Sequence, residues 1–91
     1  MKWSVSILAE GDRIVTNDEV VELADAVAAF DGIASGIGAK HYGAQVVVDA
    51  DDRDTAVRRA TAVFVQAAKR AGLPSWPITN VDAVSEDDDV A

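Results

Sequence analysis

The residues able to do chemistry are few and scattered. His41 is the only histidine in the chain, and it stands between Lys40 and Tyr42. An imidazole titrates near neutrality and can take or give a proton, but this one has no evident catalytic partner in the sequence. The plainer reading is a loop histidine at the tip of a hairpin. Trp76 lies in the segment Pro74-Ser75-Trp76-Pro77, which two prolines hold extended. A tryptophan presented in that way can anchor a partner, or it can cover the open end of a core. Lys40, His41, Tyr42 and Trp76 are therefore the candidate binding residues, and no catalytic set can be assembled.

Other patterns carry less. Asp51-Asp52-Arg53-Asp54 gathers carboxylates, yet a calcium loop needs a longer oxygen-rich run with a glycine turn and a distal glutamate. Helix capping accounts for these aspartates. Gly32, Gly36, Gly38 and Gly43 do not form the glycine-rich turn opening a helix that cradles phosphate. The absence of cysteine removes disulfides, thiolate metal sites and a thiol nucleophile together. No metal and no cofactor are expected, and a non-enzyme is favoured.

The elements that would position these residues can be read from local signals. Lys2 to Ala9 alternate, with Trp3, Val5 and Ile7 on one side and Lys2, Ser4 and Ser6 on the other, which predicts a half-buried strand. Trp3 belongs with that core-facing set. Glu10 to Arg13 read as a turn. Thr16 with Glu19 three residues on is a capping box. The helix it opens buries Val20, Leu23, Ala24 and Val27, with Ala28 widening the stripe, and stops at Asp31-Gly32.

Two strands follow, Ile33 to Ala39 and Ala44 to Ala50, around the short loop Lys40-His41-Tyr42-Gly43. Gly36 and Gly38 in the first suggest a bulged edge strand. A second helix opens at Asp51 or its neighbours and buries Val57, Ala60, Phe64, Ala67 and Ala71. It ends on Gly72, Leu73 and Pro74, a glycine able to turn left-handed followed by a residue that cannot continue the helix. A last strand runs from Ile78 to Val84. Its facing is open, because Val81 and Ala83 fit one phase and Ile78 and Val84 the other. The run Glu86-Asp87-Asp88-Asp89 predicts a disordered acidic tail over residues 85–91.

The order β-α-β-β-α-β with right-handed crossovers leads to an α+β domain over residues 1–84. Its four-stranded antiparallel sheet is expected in the order 4-1-3-2, with both helices on one face. With this order and the Gly72-Leu73-Pro74-x-Trp76-Pro77 segment, the chain resembles small ferredoxin-like (α/β plait) proteins of actinobacterial type. That resemblance implies a fold and no chemistry. Ferredoxin-like families with known chemistry can be compared residue by residue. RNA-recognition motifs stack bases on aromatics of the two central strands, where this chain offers Ser4, Ser6, Gln45, Val47 and Asp49. An acylphosphatase-like site would find Arg13 in place but no asparagine on the third strand. The ACT type of regulatory domain shares the order, with too loose a signature to match. The polar pocket of small cofactor-free monooxygenases cannot be built from Trp3, His41 and Asn80.

Composition sets the remaining bounds. Ninety-one residues make one domain, and 49% apolar content with only 5% aromatic means a core of aliphatics and alanine. A net charge of −8 repels nucleic-acid backbones and anionic lipid, so neither is expected as a partner. No apolar run approaches the roughly 20 residues that cross a bilayer, and Met1-Lys2-Trp3-Ser4 does not open a signal peptide. A cytoplasmic address is the expectation. The outward sheet face is expected to carry Ser4, Ser6, Ala34, Gly36 and Gln45, small residues suited to contact with another protein. The sequence thus favours a non-enzymatic interaction or regulatory module, such as a partner-blocking inhibitor. Its target is expected to be a basic protein, with a homodimer through the sheet face or an edge strand. The alternative is a small-molecule-binding domain or small dimeric enzyme with a pocket between sheet and helices.

Overall fold

The computed structural model describes residues 1–36 and 38–85. The chain forms β1 (Lys2–Glu10), α1 (Asn17–Val27), a 3-10 turn (Ala28–Phe30), β2 (Ile33–Ser35), β3 (His41–Asp49), α2 (Arg53–Arg70) and β4 (Ile78–Ser85). It is an α+β domain with one antiparallel sheet in the order β2-β3-β1-β4, which is 4-1-3-2 counted from the β4 edge. The 3-10 turn interrupts what would otherwise be a bare β-α-β-β-α-β succession.

Alternation on β1 places Val5, Ile7 and Ala9 in the core, opposite Val46, Ala44 and Tyr42 of β3. The helices cover this side. Val20, Leu23 and Val27 come down from α1, and Ala56, Ala60, Phe64, Ala67 and Ala68 from α2. The helix ends form as their local signals dictate. Thr16 and Glu19 close the capping box on α1. On α2 the cap is Asp52, which accepts from the Thr55 N–H at 2.7 Å. At its far end Leu73 N–H reaches the Ala68 carbonyl and Gly72 N–H the Lys69 carbonyl. With Gly72 at φ +75°, this is the Schellman closure.

Several expectations are corrected. β2 ends at Ser35, not Ala39, because Gly36 and Gly38 at φ +126° and +74° leave the pleat and form a loop. β3 starts at His41, so His41, Tyr42 and Gly43 are strand residues, not a hairpin tip. Ala34 pairs with Ala44 and so faces the helices, leaving Ile33 and Ser35 to face outward. Ala28 lies exposed on the 3-10 turn, where the helix has already tightened and rotated it off the buried stripe. Ser85, counted with the tail, is the last residue of β4 and is buried. Glu86 to Ala91, the rest of the expected tail, lie outside the described residues.

The facing of β4 follows from a bulge. Leu8 pairs with Asn80, but Ala9 pairs with Ile78, so Thr79 is the extra residue. The irregularity lets Ile78, Val81 and Ala83 all pack on the core. Val84 remains 41% exposed.

Candidate functional site

Three segments converge at one end of the sheet. The chain after β1 is tied to the loop before β3 by Gly11 N–H to the Lys40 carbonyl, 3.0 Å, and Val15 N–H to the Ala39 carbonyl, 2.8 Å. Glu10 N–H bonds the Pro77 carbonyl at 3.2 Å, which brings in the segment before β4. Around these bonds the aromatic residues form a clasp. Tyr42 stacks on Phe64 with ring centroids 5.5 Å apart, and Trp76 tilts against Tyr42 at 5.6 Å. The Tyr42 hydroxyl donates to the Pro74 carbonyl at 2.7 Å. Burial pushes the phenol above its ordinary value, so it remains a donor.

Trp76 lies flat over Gly11. A β-carbon there would fall 1.9 Å from the indole, so only glycine permits this approach. The Arg13 guanidinium sits over the outer side of the same ring, 5.9 Å from its centroid, in cation–π geometry. Arg13 in turn forks onto Glu19, with one nitrogen 2.8 Å from Oε1, and Glu19 caps α1. One chain of contacts therefore runs from α2 through β3 to the start of α1.

The four sequence-predicted binding residues are thus neighbours along the chain or in space, in different environments. Tyr42 is 2% exposed and belongs to the core. Trp76 is half-buried and Lys40 exposed. His41 is half-buried, opposite Glu10 across the strands, and its Nδ1 is buried without a hydrogen-bond partner. Besides the core residue Phe64, Arg13 and Gly11 were the members of the clasp that the candidate binding set omitted. Their signal was the glycine-charged turn between a strand and a helix cap.

Glu19 is the most perturbed acid. The Arg13 fork, then the Thr16 backbone N–H, hold its carboxyl down at about 2. A folded-state value below the unfolded one stabilises above the unfolded value, near 4.3, and is lost as pH falls toward 2. The Arg13 side of the pair is open to solvent, which screens the attraction and keeps its weight small. Glu19→Gln is expected to keep the cap and to remove that part of the acid limb between about pH 4.5 and 2. Urea unfolding across that window reads the difference, and parallel curves for the two proteins would refute it.

The broader feature is the other side of the sheet, which neither helix covers. Its two central strands present Ser4, Ser6, Leu8, Gln45 and Val47, without charge between Lys2 and Asp49 at one end and Glu10 at the other. Ile33 stands 66% exposed at one edge. Gln45 Nε2 donates to Ser4 Oγ at 2.6 Å, so the polar groups are partly matched to each other. A shallow hollow of about 280 Å³ lies here, lined by Ser6, Leu8, Ile33, Gly43, Gln45 and Asn80. By contrast, the space between sheet and helices is filled by Leu23, Tyr42, Val46 and Phe64.

Among the described residues no group of three or more histidine and acidic side chains is placed to hold a metal ion, and no helix is long and apolar enough to cross a membrane. Comparison of the chain with protein-family models, with curated proteins and with solved structures gave no match in any of the three.

Proposed function

We propose that the chain is a ferredoxin-like, non-enzymatic interaction module that holds a partner protein against the uncovered face of its sheet. The observation that carries this reading is the face itself: uncharged along both central strands, edged by an exposed isoleucine, and free of either helix. The strand order and the placement of the helices support the ferredoxin-like assignment. The net charge of −8 favours a basic target, because the field of the whole chain steers encounter before the face, neutral on its central strands and carrying exposed Asp82 on β4 opposite Ser6, makes contact. A regulatory, partner-blocking role suits a small domain whose sheet leaves one face uncovered. The competing reading, a ligand pocket between sheet and helices, has less support because that space is packed.

Affinity capture with the full chain, beside a Ser6→Arg/Ile33→Asp variant, tests the reading. A partner retained by the wild type, released as salt rises and lost by the variant at unchanged melting temperature is the expected result. Partners retained equally by both proteins would overturn it. A melting temperature raised by a metabolite would favour the ligand pocket instead, since a saturating ligand at 100 times its Kd adds about 2.7 kcal/mol.

A further inference from the structure

We propose that the helical layer, on the side opposite the sheet face, binds a second copy of this chain, α1 of each protomer crossing α2 of its partner. The two helices are oppositely charged. α1 carries Asp18, Glu19, Glu22 and Asp25 and no basic residue. α2 carries Arg53, Arg58, Arg59, Lys69 and Arg70 against the single Asp54. Five of the eight basic residues of an acidic chain thus lie on one helix, beside the other helix's acids. Asp18, Glu22 and Asp25 are exposed, as are Arg58, Lys69 and Arg70. No ion pair within 4 Å joins the two helices among the described residues, where the pair formed is Arg13 with Glu19. Within the chain Arg59 donates to the Asp49 carbonyl, Arg58 lies near Asp52, and Arg70 shares a hollow with Glu22 and Asp25, while no side-chain ion pair among the described residues holds Asp18, Glu22, Asp25 or Lys69.

The topology makes the stripes self-complementary. β1 and β3 are antiparallel, and each is followed by a helix that returns along the sheet, so α1 and α2 run antiparallel. A two-fold axis parallel to the helices sets α1 of one protomer antiparallel on α2 of the other, and does so twice. Acid then meets base on both sides of the axis. Any arrangement of like helix on like helix would set acid on acid.

Apolar surface lies at the same place. Val21 is 48% exposed on α1 and Val65 50% on α2. Phe30, 40% exposed, stands at the rim of a hollow of about 420 Å³ lined by Ala26, Ala62, Val63, Gln66 and Arg70. An aromatic over an alanine floor, ringed by charge, has the make-up of an interface centre and rim. Single surface ion pairs contribute little, so the apolar centre would supply affinity and the charges the pairing rule. This surface does not overlap the sheet face, and the two readings stand or fall separately.

The test uses two full-length variants in sedimentation equilibrium, each checked for unchanged circular dichroism and melting. Glu22→Lys/Asp25→Lys cancels the net negative charge of α1 and puts bases at two of its exposed positions, and Arg58→Glu/Lys69→Glu cancels the net positive charge of α2 and puts acids at two of its own. The wild type is expected to dimerise at low salt and to weaken as salt screens the charges. Each variant alone is expected to dissociate with a constant raised roughly a hundredfold, and their mixture to restore the dimer as a heterodimer. A wild type that stays monomeric at every concentration would overturn the proposal. So would a dimer indifferent to both variants, one broken by Ser6→Arg on the sheet face, or a mixture that stays monomeric.

Discussion

Phe64→Ala is expected to cost about 3–5 kcal/mol, a large part of the roughly 5–15 kcal/mol that holds a small domain folded. Phe64 is 2% exposed and is the one large side chain on the buried face of α2, where the other residues are Ala56, Ala60, Ala67 and Ala68. Those alanines let the helix lie close to the sheet, and they cannot reach into a void left by the ring. Val5 and Val46 of the same core are β-branched and stiff, so collapse around the cavity is limited. The ring also stacks on Tyr42, an interaction worth about 0.5–1.5 kcal/mol beyond burial. Its loss loosens the side chain against which Trp76 rests. Urea unfolding followed by circular dichroism measures the change, with Phe64→Leu as the milder control at about 1.5 kcal/mol or less. A loss below about 1.5 kcal/mol for the alanine variant would mean that the core relaxes and that Phe64 is not its centre. Because Phe64 does not reach the outer sheet face, partner capture by this variant should fall only in proportion to the unfolded fraction.

What could be read from the sequence was what local signals decide. Period-two alternation placed Ser4, Ser6 and Gln45 on the outer face and Val5 and Ile7 in the core. The Thr16–Glu19 box and the Gly72-Leu73-Pro74 stop are complete within a few residues, and both helix ends form there. Tyr42 was hidden for the opposite reason. Beside Lys40, His41 and Gly43 it has the look of a turn residue, and only the distant Phe64 and the Pro74 carbonyl make it core. The phase of β4 was likewise beyond local reading. One bulge opposite Leu8 and Ala9 reconciles two apparently exclusive patterns.

The candidate functional surface divides along the same line. The neutral centre of the sheet face was legible from β1 and β3, but its most exposed apolar residue, Ile33, was not. β2 pairs over only three residues, too short for alternation to declare a facing, so Ala34 was assigned outward in its place. The charge contrast between the helices is written openly in sequence. Its consequence needs the knowledge that the helices lie side by side on one layer, which only the topology supplies.

Gly36→Ala is expected to be the more damaging of the two loop substitutions before β3, at about 2–5 kcal/mol, from backbone strain and steric overlap acting together. At φ +126° the backbone is in a region that side chains of L-residues rarely enter. A β-carbon would also lie 2.5 Å from the His41 carbonyl oxygen and 2.8 Å from the Tyr42 α-carbon. Both are main-chain atoms of β3, unable to swing aside as a side-chain tip would. Relief requires moving the start of β3, and with it Tyr42, off the Phe64 and Trp76 rings. Gly38 separates the two causes. It also has positive φ, +74°, but a β-carbon there meets nothing within 4 Å, so Gly38→Ala should cost only about 1–2 kcal/mol. Chemical unfolding of the two variants side by side gives the comparison. Equal losses would place the whole effect in backbone conformation and remove the contact with β3 from the account. A larger loss at Gly36, with altered tryptophan fluorescence in its folded state, would tie this glycine to the aromatic clasp that closes the end of the sheet.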